Sequence, residues 1–392
     1  VIKYIRHTGD YEILNVITPY LQGVKLKENE KEKYEQYLPS NIEESIYEHC
    51  KKAIDRACGI SDNNWSFGEH GLPKIGIGDW NDGFSNIGPE GKGESVWLGF
   101  FLYEILKGFI SITEYRNDLE KTEQYKKIAK QLQINLNTNA WDGRWFKRAF
   151  ADNGDVYGSM ENEECRIDSI AQSWSVISGT GDEEKQKQAM ESLENHLVDA
   201  ESGIIKLLDP PFEKGKLEPG YIKAYVPGVG QYTHSAIWAI IAEAMLGKGD
   251  KAVELYKMIT PIEHARTKEA ANKYKVEPYV LAADVYGAQN LAGSGGWTWY
   301  TGSSSWYYLA GIQYILGLNI YHNTMSFKPC IPKFWDEFEI KYKFGNSIYN
   351  IKVKNPNGKN TGISKVLIDG NEHENKIILD SSGKVFNVEI IM

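Results

Sequence analysis

Gly76-Ile77-Gly78-Asp79-Trp80-Asn81-Asp82-Gly83 sets two carboxylates and an indole inside a glycine-rich turn, just ahead of a long apolar stretch. Glycines let the backbone fold tightly enough to bring short acidic side chains to a cleft. An indole beside an acid suits cleavage of a sugar. Its flat face takes a pyranose ring, and by keeping water away it favours the protonated carboxyl that a general acid needs. Asp79 and Asp82 are equal candidates for that acid, and the same turn could simply cap the next helix.

Three further segments could do chemistry. Gly230-Gln231-Tyr232-Thr233-His234 opens an apolar helix, and Glu277-Pro278-Tyr279-Val280 opens another apolar stretch. The run from Gly295 to Trp306, which includes Trp299, leads into a helix after Gly302. Thr301-Gly302-Ser303-Ser304 at that helix start offers hydroxyls, free backbone N–H groups and the positive end of the dipole, which suits a phosphate. His234 could supply a cationic donor to the same anion. The structural alternatives are helix caps for Thr301 and Ser303 and a buried, hydrogen-bonded imidazole for His234. No Gly-Lys-Ser/Thr phosphate loop occurs, Asp79, Asn81 and Asp82 do not complete a calcium loop, and no metal site is expected.

Composition narrows the partners. Of 392 residues, 12% are aromatic, with 11 Trp and 24 Tyr, and the net charge is -9. Aromatic wealth without a basic surplus fits carbohydrate better than nucleic acid or an anionic membrane surface. Cys50, Cys58, Cys165 and Cys330 show neither metal spacing nor a paired framework, so they read as thiols in a reducing, cytoplasmic compartment. No signal peptide and no apolar run long enough to span a bilayer is expected. The chain opens on Val1 as if within a helix, which suggests a fragment.

The elements that must position these residues alternate in character. Helices are expected over Ile2–Arg6, Asp10–Leu21 and from Ser40 or Asn41 to Ala57, the last with His49 packed on its apolar face. Glu28 to Tyr37 reads as a solvated connector. The segment Glu94–Tyr115 is apolar nearly all round and so should be enclosed, whereas Asp118–Asn137 carries a single buried stripe. Trp141–Tyr157 is an aromatic, hairpin-like excursion. The same pairing of a buried with a half-exposed helix recurs at Ile167–Ile177 with Asp182–Val198, and at Thr233–Leu246 with Asp250–Ile259. One more buried helix follows Gly302. Gly203–Gly230 is a long loop. Inner and outer helices in alternation point to a mainly α fold of the (α/α)6 toroid type, with about five pairs present. After Pro332, period-two segments separated by Asn-Gly, Asp-Gly and Ser-Gly turns point to a small antiparallel, β-sandwich-like domain. The expected division is 1–325 and 326–392.

Taken together, these segments resemble the inverting phosphorylases of glycoside hydrolase family 94. That family holds cellobiose, cellodextrin and chitobiose phosphorylases and the C-terminal domain of cyclic β-1,2-glucan synthases. The likeness runs from Tyr4-Ile5-Arg6-His7-Thr8-Gly9-Asp10-Tyr11 through Ser45-Ile46-Tyr47-Glu48-His49-Cys50 and Phe67-Gly68-Glu69-His70-Gly71-Leu72-Pro73 to the Trp306 helix. Gly83 after Trp-Asn-Asp, and the stretch Glu277 to Tyr286, are most similar to the glucan synthase branch. The resemblance implies Asp82 as general acid, Trp80 lining the sugar subsite, and His234, Thr301 and Gly302 on phosphate. Asp79, Glu277 and Trp299 are expected at the sugar and Ser303 at the phosphate. No cofactor is expected beyond inorganic phosphate as co-substrate, with an oligosaccharide as the other substrate.

The chain departs from the family in three places. It lacks the N-terminal β-sandwich, linker and first helices, which carry arginines and an aspartate of the sugar site. The Arg-Glu-Asn-Gly type insertion between Val229 and Gly230 is missing, and Ala283 stands where cellobiose-type enzymes place Gln. The chain alone is therefore expected to turn over weakly, pending the N-terminal part or a homo-oligomeric partner. Two rival readings remain: an inverting hydrolase with Glu277 or Glu94 as base, and a carbohydrate-binding remnant without turnover.

Overall fold

The computed structural model describes residues 1–27, 30, 33–60, 67–212, 230–299 and 301–392. Contacts divide the chain into two units, Val1–Asn135 with Ala149–Asp155, and Leu136–Arg148 with Val156–Met392. Much of the expected connector at Glu28–Tyr37, most of the Gly203–Gly230 loop, and the missing insertion before Gly230 lie outside the described residues.

In the first unit α1 spans Ile2–Thr8 and stops at Gly9, whose φ of 71° a side chain would oppose. The helix expected over Asp10–Leu21 is instead a short 3-10 turn, Glu12–Asn15, and a strand, Ile17–Gln22. Val16, Ile17 and Thr18 are β-branched and Pro19 has no N–H to give a helix, so the segment pairs antiparallel with Leu38–Ser45. The next helix therefore starts later than expected. α2 (Ile46–Ala57) is capped by Ser45, which accepts from Glu48 N, rather than by Ser40 or Asn41. His49 on α2 meets the Thr18 carbonyl at 3.0 Å and stacks on Tyr20, as a packed helix-face histidine should.

α3 (Val96–Tyr115) is capped by Ser95, and α4 (Leu119–Asn139) runs beside it. Phe109 of α3 lies against Tyr47 of α2 and Tyr125 of α4, and Thr122 donates to Thr113 at 2.7 Å. Contrary to expectation, α3 does meet the length and composition of a bilayer span, with a mean hydropathy of 1.4. Only half of that window is buried, so the helix is less enclosed than its sequence suggests.

The second unit is helical and then β. α5 (Ser169–Ile177) and α7 (Thr233–Met245) are buried almost throughout, whereas α6 (Glu183–Leu197) and α8 (Gly249–Met258) bury one face each. This is the inner and outer character that the sequence carries. Trp174 of α5 meets Trp238 of α7 edge-on at 5.2 Å. The Trp141–Tyr157 excursion is fastened to α5 by a fully buried ion pair, Arg148 Nε to Asp168 Oδ2 at 3.3 Å. Asp168 also caps α5 through Ile170 N. Two short helices that the sequence reading missed follow, α9 (Pro261–His264) and α10 (Lys268–Tyr274), capped by Thr260 and Thr267. α11 (Ser303–Leu309) continues as a π-helical stretch to Ile315.

Beyond it, a hairpin of Leu318–Tyr321 and Thr324–Phe327 precedes a five-stranded sheet. Glu337–Phe344, Ser347–Lys354, Lys365–Ile368 and Val385–Ile391 fall where the alternation predicts strands. The sheet is not wholly antiparallel, because Ser347–Lys354 runs parallel to Val385–Ile391. The chain between them makes its own hairpin, Lys365–Ile368 with Asn371–His373, and that detour is long enough to return in the same direction. Asp250 at the start of α8 ties this β part to the helices, accepting from Lys333 N and Asn360 Nδ2, both at 3.0 Å.

Candidate active site

The Asp79–Asp82 turn belongs to the first unit and is pinned at both ends. Ile75 N donates to Gly93 O, and Asp152 accepts from the backbone N–H groups of Glu90, Lys92 and Gly93. Phe84 and Ile87 anchor its middle in the core. Gly76 and Gly78 take φ of 59° and 141°, which is why the turn needs glycine there. Within this frame the two aspartates part company. Asp79 accepts from Asn81 N at 2.9 Å and from Ser95 Oγ at 2.7 Å. Since Ser95 Oγ also accepts from Leu98 N, Asp79 is joined to the cap of α3. Asp82 opens a 3-10 turn capped by Asn81, and it is exposed. Among the described residues its carboxylate has no hydrogen bond or ion pair. Trp80 beside it is half-buried.

Glu94, one candidate base for a hydrolase, is committed elsewhere. It is 1% exposed and accepts from Leu72 N at 2.9 Å, from His70 N at 3.1 Å and from the His70 ring at 2.5 Å. It therefore holds the loop before the Asp82 turn. Ser95, Asn81, Glu94 and Asp152 were all missed as supports. Ser95 was legible as a cap before the apolar run, whereas Asp152 acts across a sequence distance that no local pattern spans.

The second unit brings His234, Thr301 and Gly302 together. A Cβ added at Gly302 would stand 3.8 Å from His234 Cε1. The His234 ring sits over Trp238 at 4.7 Å and near Trp306 at 6.1 Å, and burial holds its pKa below the ordinary histidine value. Thr301 Oγ1 accepts from Ser303 N at 3.1 Å and shares a 2.6 Å hydrogen bond with Ser303 Oγ. Ser303 is fully buried, so its hydroxyl supports Thr301.

The start of α7 is held by the segment that carries Glu277. Gln231 and Tyr232 pair with Val285 and Asp284, and Thr233 N donates to Ala283 O. Gly230 must lack a side chain, because a Cβ there would fall 1.9 Å from Val285 O. Glu277 is half-buried and accepts from Trp299 Nε1 at 3.1 Å. Its own backbone N–H, then the indole, hold the carboxyl below its ordinary value. Asp79, Trp80 and Asp82 therefore lie in the first unit, and Glu277, Trp299, His234, Thr301, Gly302 and Ser303 in the second.

Residues 1–317 match the glycosyl hydrolase 94 superfamily, catalytic domain, and the chain belongs to that family. It is 39% identical over 96% of its length to cyclic beta-(1,2)-glucan synthase NdvB of Rhizobium meliloti, covering 13% of that protein. Solabiose phosphorylase of Paenibacillus borealis is 29% identical over the whole chain, which covers 48% of it. N,N'-diacetylchitobiose phosphorylase of Vibrio furnissii is 26% identical over the whole chain, which covers 46% of it. The chain thus spans less than half the length of these relatives.

Proposed function

We propose that this chain carries out inverting phosphorolysis of β-linked gluco-oligosaccharides, of the β-1,2-glucan or cellobiose type, giving α-glucose 1-phosphate reversibly. The observation that carries this reading is the division of labour in the Asp79–Asp82 turn. Asp79 is taken up by Ser95 and Asn81, which leaves Asp82 as the turn's available proton donor. Asp82 protonates the leaving glycosidic oxygen as the C–O bond breaks. A phosphate oxygen attacks the anomeric carbon, forming the new C–O–P link and inverting the centre, and His234, Thr301 and Gly302 are the residues assigned to that phosphate. A hydrolase needs a second carboxylate to activate water, but phosphate arrives already anionic, so one acid suffices. Trp80, Asp79, Glu277 and Trp299 are assigned to the sugar side, and Ser303 supports the phosphate loop. The phosphorylase names of two relatives support the same reaction class.

In this reading the helices belong to an (α/α)6 toroid, phosphate is the sole co-substrate, no resident cofactor takes part, and the compartment is reducing and cytoplasmic. The four cysteines are free thiols, which fits that compartment. Turnover by this chain alone is weak and rises with the N-terminal regions of its longer relatives or with a homo-oligomeric partner. A second reading, hydrolysis with Glu277 as base, rests on that carboxyl being held below its ordinary value by its own backbone N–H and by Trp299, as a base requires. The test runs the reaction backwards, measuring phosphate released from α-glucose 1-phosphate with glucose or sophorose as acceptor. Slow release abolished by Asp82→Asn is expected. Release unaffected by Asp82→Asn would remove Asp82 as the acid, and fast release lost in that variant would overturn only the weak-catalyst part.

A further inference from the structure

Three large aromatic side chains crowd one small region of the second unit and stay in solvent. Tyr279 is 74% exposed, Trp297 65% and Trp299 69%. Their two segments are locked side by side. Ala282 bridges Thr298 and Val285 bridges Gly295, while Ala283 N donates to Trp297 O and Gly296 N to Asp284 O. Trp297 N also donates to Asp284 Oδ1 at 2.9 Å. Trp299 is held in the left-handed region at φ 66°, where bulky residues are rare. It meets Tyr279 edge-on at 6.2 Å and donates to the ionised Glu277. A chain that fixes its backbone in order to keep rings in water is presenting those rings to something.

We infer that Tyr279, Trp297 and Trp299 form a stacking surface for sugar units of a β-linked gluco-oligosaccharide beyond the pair flanking the cleaved bond. The preferred substrate is then a chain and not a disaccharide. This rests on the phosphorylase reading. Trp297 and Trp299 stand only a few residues before Thr301 and Gly302 in the sequence, so a sugar chain engaged at that loop has these rings close by. Rigid indole and phenol faces match the apolar faces of pyranose rings at little entropic cost, and Glu277 accepts from their hydroxyls. The chain's net charge of -9 disfavours a nucleic acid stacking there instead.

The test is calorimetric binding of sophorose and of a β-1,2-linked pentasaccharide to the 392-residue chain. The pentasaccharide is expected to bind about tenfold more tightly, and Tyr279→Ala or Trp297→Ala to cut that ratio roughly three- to tenfold. Trp297→Phe, which keeps a ring, should retain most of it. Both truncated side chains are exposed, and thermal melts verify that the variants fold. Equal affinity for the two sugars in the parent chain, or a ratio untouched by both alanine variants, overturns the inference. An intact ratio with an altered oligomeric state assigns the rings to self-association and overturns it too. Binding of neither sugar would instead overturn the phosphorylase reading beneath it.

Discussion

Asp79 and Asp82 stand three residues apart, yet their surroundings give them different work. Asp79 accepts an Asx-type hydrogen bond from Asn81 N and another from Ser95, and no comparable partner reaches Asp82 among the described residues. His234 shows the same dependence on surroundings. Burial against Trp238 holds its pKa below the ordinary histidine value, and a bound dianion would raise it. The bound state then holds more protons than the free state between the depressed pKa and the raised one. Affinity for the dianion should therefore fall as pH rises through that window, by up to about tenfold per unit. Sulfate does not titrate there, so calorimetry with sulfate reads the histidine alone. His234→Ala should flatten the slope, and an unchanged slope would exclude His234 from the anion site. The identities of these residues were legible in the sequence. Their division of labour was not, because it depends on Ser95 and on indoles brought in from other elements.

At the scale of elements, the helices with a steady apolar stripe or an apolar run stood where periodicity placed them, namely α3 to α8 and α11. The misplacements have local causes. Strand pairing claimed both Ile17–Gln22 and Leu38–Ser45, so Ser40 and Asn41, each also followed by a Glu three residues on, lie within a strand and the helix is capped at its end by Ser45. The π-helical end of α11 and the parallel strand pair arise from tertiary packing, which leaves no periodic signal. Helix α7 also carries a group that nothing in its sequence marks. Glu243 is fully buried beside Lys248, whose Nζ lies 3.3 Å from Oε2, and burial followed by the Glu194 charge raises its pKa to about 8. Between the unfolded value of 4.5 and about 8 the folded state holds the extra proton, so this residue's contribution falls as pH rises through that range. Lys248 keeps Glu194 at 2.7 Å without it. Glu243→Gln should therefore stabilise the chain by roughly 2–4 kcal/mol at pH 8 and much less at pH 5, read by urea melts. A greater loss of stability at pH 8 than at pH 5 would mean that an ionised Glu243 is held by Lys248.

For the whole molecule, the chemistry is distributed along the sequence. The turn that carries the proposed acid comes before α3, His234 opens α7, and the Thr301 loop opens α11, so no single motif would disclose the proposed reaction. Order and spacing of many segments carried the family likeness, and residues 1–317 match the family as a unit. The central claim is that phosphate, and not water, is the nucleophile opposite one proton donor. Phosphorus and proton NMR of the chain incubated with a β-linked gluco-oligosaccharide, with and without inorganic phosphate, test it most directly. α-Glucose 1-phosphate is expected only when phosphate is present, and none from Asp82→Asn. Free glucose released at the same rate without phosphate would contradict it.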